Sequence, residues 1–228
     1  MLSLAEELLL LSLDDDKGTI PGSAEQALGY GLAAAGIVDL LLANRLAVQD
    51  KKKLSVVDGT PTRDELLDEM LVHIQQSKRT RSVSDWVQDF GNGGIRKMQE
   101  RLERRLVEKG ILRDEEGKYL KLIPWHHYPT VDGAPEAETR EKLREVLLGG
   151  EQPDVRTATV ISLARACELL DQLFPKAERK RADQRAKEIA KGEVAGAAVS
   201  EAVEEAAAAT VAATVAASTV STTSTSSS

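Results

Sequence analysis

The sequence predicts a mainly α-helical fold with two small β-hairpins. Three observations carry that expectation. Serine followed three residues later by Glu or Gln, the signature of a helix capping box, opens apolar stretches at Ser3 with Glu6 and at Ser23 with Gln26. Apolar residues then recur at spacings of three and four through most of the chain. In only two places do short apolar runs flank a compact polar turn, the pattern of a hairpin.

Taken in order, the first helix follows Ser3 and runs through Leu13, where Asp14-Asp15-Asp16-Lys17-Gly18 ends it. The second, over 23–44, keeps helical spacing through Leu28, Leu32, Ile37, Leu40 and Leu41. It also contains Gly29, Gly31 and Gly36. A glycine inside a helix costs about 1 kcal/mol against alanine. Three of them imply a central helix packed closely on several sides. The polar run 49–53, between apolar runs at 45–48 and 54–57, reads as the first hairpin. Thr62 with Glu65 is the expected cap of a helix carrying Leu66, Leu67, Met70, Leu71 and Ile74. A short helix over 82–90 presents Val83, Trp86, Val87 and Phe90, and Gly91-Asn92-Gly93-Gly94 breaks it. Ile95, Met98, Leu102 and Leu106 form the stripe of a helix over 95–109. The second hairpin is expected over 111–123, turning at the acidic run 114–117. Residues 124–129 read as a rigid loop, and 135–148 as a helix. Asp154 caps one long apolar helix through Phe174, and Pro175 separates it from a charged helix over 176–191.

Residues 1–192 are expected to form a single domain. The Ala/Ser/Thr-rich tail over 193–228 is expected to be disordered, because its side chains are too small and polar to build a core. No strongly apolar run reaches the ~18 residues of a membrane-spanning helix, and the N-terminus lacks the basic region of a signal peptide. The expected location is cytoplasmic, including peripheral attachment to the cytoplasmic face of a membrane.

Composition removes several classes of function. A single cysteine excludes an internal disulfide framework and a cysteine-based zinc site. Aromatic residues at 3% leave little for stacking single-stranded nucleic acid. With 30 basic and 37 acidic residues, net −7, the chain is not a globally basic DNA binder. The titratable candidates are sparse. His73 belongs at the edge of its helix, and the adjacent His126 and His127 point to opposite sides of an extended chain. Cys167 sits on an apolar helical face. Asp14-Asp15-Asp16 suits a solvated helix end. No glycine-rich phosphate loop joins a strand to a helix. The expectation is a non-enzymatic protein with no cofactor and no metal.

The net charge hides a segregation. Residues 95–113 hold seven basic residues, Arg96, Lys97, Arg101, Arg104, Arg105, Lys109 and Arg113, against Glu100, Glu103 and Glu108. Lys78-Arg79-Thr80-Arg81 lies just upstream. A basic patch on an acidic body suits an anionic partner.

Several stretches together resemble the Golgi phosphoprotein 3 family in order and spacing. They are Leu4-Ala5-Glu6-Glu7-Leu8-Leu9-Leu10-Leu11 with Asp16-Lys17-Gly18, then Gly31-Leu32 and Asp39-Leu40, then Asn44-Arg45-Leu46 and Leu66-Leu67-Asp68-Glu69. Trp86, Glu100-Arg101-Leu102, Leu106-Val107-Glu108-Lys109-Gly110-Ile111-Leu112 and Arg156 follow. The likeness covers about residues 2–175, and the composition suits a bacterial-type member. It implies a central helical bundle ringed by amphipathic helices, with a protruding hairpin. It implies a peripheral membrane adaptor that binds phosphatidylinositol 4-phosphate or another anionic lipid headgroup and gathers client proteins. Of the family's four headgroup-binding positions, Arg96 is carried over; the others fall at Ala24, Ala33 and Gln99. The headgroup candidates are therefore Arg96, Lys97, Arg81 and Arg45. The hairpin residues Glu115, Glu116, Lys118, Tyr119 and Leu120 are the candidates for membrane contact or homo-oligomer formation.

Two other functions fit the same residues. One is a protein-interaction scaffold without lipid binding. The other is a winged-helix DNA binder using the helix 95–109, although Glu100 and Glu103 on its outer face would repel phosphates, which makes nucleic acid the weaker partner.

Overall fold

The computed structural model describes residues 1–14, 17–20, 22–119, 123–191 and 205–212. Its helices are α1 (Leu4–Ser12), α2 (Gly22–Leu42), α3 (Glu65–Gln76), α4 (Val83–Asp89), α5 (Met98–Glu108), α6 (Ala134–Arg144), α7 (Val155–Ala166), α8 (Leu170–Leu173), α9 (Lys176–Lys191) and α10 (205–212). Two antiparallel hairpins complete it: β1 (Leu46–Gln49) with β2 (Lys53–Val56), and β3 (Glu115–Tyr119) with β4 (Ile123–His127). The mainly α fold is the one the sequence predicts.

The centre is α2, packed against α1, α3, α4 and α7. Its small residues make that possible. A Cβ on Gly31 would lie 2.4 Å from Cys167 Sγ and 3.1 Å from a Leu8 methyl, so this glycine lets α1 and α7 approach α2 together. α1 is apolar nearly all round, and Leu4, Leu8, Leu9, Leu10 and Leu11 are all buried. It opens with the expected capping box of Ser3 and Glu6.

Several local expectations are corrected. Thr62 does not cap α3. Asp64 does, accepting from the Leu66 and Leu67 N–H groups, while the Thr62 hydroxyl donates to Asp68. A carboxylate at this end also answers the helix dipole. The basic helix begins at Met98, not at Ile95. Gly93 and Lys97 both take left-handed backbone, with φ of 97° and 54°, and the chain turns there to bury Ile95 and expose Arg96. The long helix ending at Phe174 is interrupted after Ala166, where Glu168 has φ of 60°. The capping boxes at Ser23 and Gln26 rest on side chains outside the described set.

The second hairpin has a different register. Glu115 faces His127 and Tyr119 faces Ile123, so the strands run past the acidic residues and the connection is 120–122. Residues 124–127, expected as loop, join Ile123 in β4. Carboxylates and imidazoles hold the pairing: His126 Nδ1 lies 2.7 Å from Asp114 Oδ1, and His127 Nε2 lies 3.1 Å from Glu115 Oε2.

Residues 205–212, expected within a disordered tail, form a helix against the body. Ala206, Ala209 and Thr210 are buried, because small side chains allow close approach. Glu205 anchors it, accepting from the Ser84 N–H and pairing with Lys52. Residues 192–204 and 213–228 lie outside the described set.

Candidate functional site

Helix α5 carries the charge that the sequence singles out, and its neighbours use up much of it. Glu6 is fully buried, and Lys109 Nζ donates to its two oxygens at 2.6 and 2.7 Å. Arg105 lies 3.3 Å from Glu6 and makes a two-pronged contact with Asp64 at 3.0 and 2.7 Å. Arg101 reaches Glu65 and Glu69 on α3. A buried carboxylate demands such partners, because leaving it unpaired costs several kcal/mol. Thus α1, α3 and α5 are tied through charges that cannot also serve a ligand.

A second polar group continues this hub. Asp39 on α2 accepts from the Leu4 N–H at 2.9 Å, and Arg156 on α7 sits 3.9 Å away. Arg156 also pairs with Glu7 at 2.9 Å. Burial pushes the Asp39 carboxyl up to about 7 and raises Glu7 as well.

The predicted headgroup residues differ in their partners. Arg45 is paired with Asp58 at 2.5 Å. Arg81 pairs with Asp89, donates to the Asp85 carbonyl and lies 4.3 Å over the Trp86 ring. Lys97 pairs with Glu100 at 2.8 Å. Arg96 is exposed and carries no ion pair among the described residues. Arg81 lines a cavity of about 210 Å³ with Arg79, Thr80 and Trp86. Lys97 lines a different one, of about 510 Å³, with Glu100, Glu103, Arg104, Asp114, His126 and Tyr128. Arg81 and Lys97 therefore face separate cavities.

The larger cleft is mixed in charge. Glu103 is buried and hydrogen-bonded by Gln99, and burial raises its pKa. The Asp114 hydrogen bond raises His126, and burial pushes the Tyr128 phenol up to about 12. Two cations against three carboxylates do not make a stereospecific trap for a polyanion. Arg104 adds to the site candidates. It is exposed and free of ion pairs among the described residues. Its spacing of seven from Lys97, two helical turns, is the signal that could have placed both on one face.

Of the hairpin candidates, Glu115 pairs with Arg113 and His127, and Glu116 faces His126 in the ladder. Lys118 and Tyr119 lie on β3, with side chains outside the described set, as is Leu120 altogether. The winged-helix order of α4, α5 and the β3–β4 hairpin is present. Yet Arg101, Arg105 and Lys109 are turned toward α1 and α3 rather than toward a groove.

The fold and these surfaces define a class: a helical protein with a charge-locked interior and unpaired exposed cations. Among the described residues, no helix is long and apolar enough to cross a membrane. The chain belongs to the Golgi phosphoprotein 3 family, whose family model matches residues 4–206. It is also similar to vacuolar protein sorting-associated protein 74 of Eremothecium gossypii, 29% identical over 167 residues. That alignment covers 64% of this chain and 49% of the relative, so the chain matches about half of the relative's length.

Proposed function

We propose that this protein is a non-catalytic peripheral membrane adaptor that docks on anionic lipid headgroups. Membership of the Golgi phosphoprotein 3 family supports a membrane-associated adaptor role. The observation that carries the lipid reading is the pair Arg96 and Arg104. Both are exposed and without ion pairs among the described residues, Arg96 in the turn just before α5 and Arg104 on α5 itself. Each cation close to an anionic leaflet contributes about 1 kcal/mol to binding, and the effect is screened by salt. Because Arg81 and Lys97 line different cavities, contact is with the charged surface, and a phosphatidylinositol 4-phosphate-type headgroup is one of the lipids it takes. The β3–β4 hairpin, carrying Glu115, Glu116, Lys118, Tyr119 and Leu120, supplies membrane or self-association contact.

Co-sedimentation of the full chain with vesicles tests this. Phosphatidylcholine vesicles containing phosphatidylserine or phosphatidylinositol 4-phosphate, matched in charge, should both retain the protein at low salt and release it at high salt. Stronger retention by the phosphoinositide would support headgroup selection as well. No retention by either vesicle overturns the proposal.

A further inference from the structure

A second cation-rich face lies away from α5. The turn Asp50–Lys52 between β1 and β2 is held against the segment before α4: Lys53 pairs with Ser82 across an isolated bridge, and the Leu54 N–H donates to the Arg81 carbonyl at 2.9 Å. This brings Lys52 and Lys53 alongside the run Lys78-Arg79-Thr80-Arg81. A shallow hollow of about 640 Å³ lined by Gln49, Asp50, Lys53 and Thr80 marks the seam. Lys53, Lys78 and Arg79 are exposed and have no ion pair among the described residues. Lys52 has one, and its partner is Glu205 of α10, at 3.3 Å. The same carboxylate accepts from the Ser84 N–H at 3.3 Å.

So a segment from the far end of the chain caps one edge of this cation face with a negative charge. Among the described residues, α10 is seated by buried small side chains, Ala206, Ala207, Ala209 and Thr210, with Glu205 as a charged contact, and small side chains each bury little area. The Lys52–Glu205 pair is half-buried, with the Lys52 side chain 42% and the Glu205 side chain 12% exposed. With no large apolar side chain among its buried described residues, α10 can lift off as a unit.

Clustered lysine and arginine on a protein read as a membrane adaptor suit an anionic leaflet.

The geometry points to α10 as a displaceable clasp that masks part of an anionic-membrane face formed by Lys52, Lys53, Lys78 and Arg79. Release of α10 frees Lys52 and removes the Glu205 charge, which strengthens docking. This rests on the membrane reading above and adds its regulation.

The test uses two full-length variants with the same added charge on the same helix. Ala209→Lys places a lysine at a buried position of α10, and Ala208→Lys places one at an exposed position. Hydrogen exchange should show faster exchange over 205–212 in A209K only. Vesicles of phosphatidylcholine with phosphatidylserine should bind A209K about fivefold more tightly than A208K. Equal vesicle binding by the wild type and both variants overturns the clasp and leaves the membrane reading standing. No vesicle binding by any of the three overturns the membrane reading and the clasp's role with it. Capture of a random DNA duplex by A209K in place of vesicles would overturn the membrane assignment of this face. Unchanged exchange in A209K would show that α10 is not seated as described, and would also overturn the proposal.

Discussion

Arg104 and Arg105 are neighbours on one helix and belong to different regions of the molecule. Arg105 points inward, held by Asp64 and the buried Glu6. Arg104 points outward, lines a cleft and has no ion pair among the described residues. The same contrast separates the interior hub, Glu6, Glu7, Asp39, Asp64, Lys109 and Arg156, from the outer cations, Lys53, Lys78, Arg79 and Arg96. In the hub, each charge is matched across helices far apart in sequence. On the outside, charge is left over. A cation's availability to a ligand depends on the carboxylates that the fold brings to it, not on how many cations lie nearby in sequence.

The largest expected effect lies in the hub. Glu6→Ala leaves Lys109 without its partner and removes half of the α1 capping box. It should destabilise the fold by about 3–5 kcal/mol in urea unfolding. A loss under about 1 kcal/mol would break the distinction between the regions.

Asp39 comes next, and its signature is a pH dependence. Its folded pKa, about 7, is raised from the ordinary 3.8, chiefly by burial. The folded protein therefore binds more protons than the unfolded chain between these values. Stability is fullest below the lower value and falls as pH rises toward 7. At about 1.4 kcal/mol per unit the fall amounts to as much as about 4 kcal/mol. Asp39→Asn should flatten the melting temperature across this window, since an amide oxygen can still accept from the Leu4 N–H. An unchanged slope would place the pH dependence elsewhere, with Glu7 the next group to examine.

The adjacent arginines sharpen the comparison. Arg105→Ala should cost about 2 kcal/mol, since it strips Asp64 of a two-pronged, charge-assisted contact. Arg104→Ala should stay within about 0.5 kcal/mol of the wild type. Equal losses from the two would contradict the inward and outward assignments.

Much of the fold was legible because the relevant signals are local. The Ser3–Glu6 capping box, the glycines of α2 and the three-four apolar stripe of α5 each lie within a few residues. The positions that differed depend on distant partners. The register of β3 and β4 follows from His126 and His127 meeting acids twelve residues earlier. The break after Ala166 has neither proline nor glycine to announce it. The tail composition gave no sign that α10 seats on the body, because its anchor, Lys52, is 153 positions away in sequence. Charge on α5 was legible, but its neutralisation by α1 and α3 was not, since Glu6 and Lys109 are 103 residues apart. Glu6 was readable as a cap and unreadable as the counterion of a distant helix.

If the unpaired cations, and not the paired ones, meet the membrane, the decisive variant is the full-length double substitution Arg96→Ala with Arg104→Ala, measured by vesicle binding alongside thermal unfolding. The melting temperature should be unchanged and binding to phosphatidylserine vesicles weakened about thirtyfold at low salt, from about 1 kcal/mol for each lost cation. Undiminished binding by a fully folded double variant would contradict it.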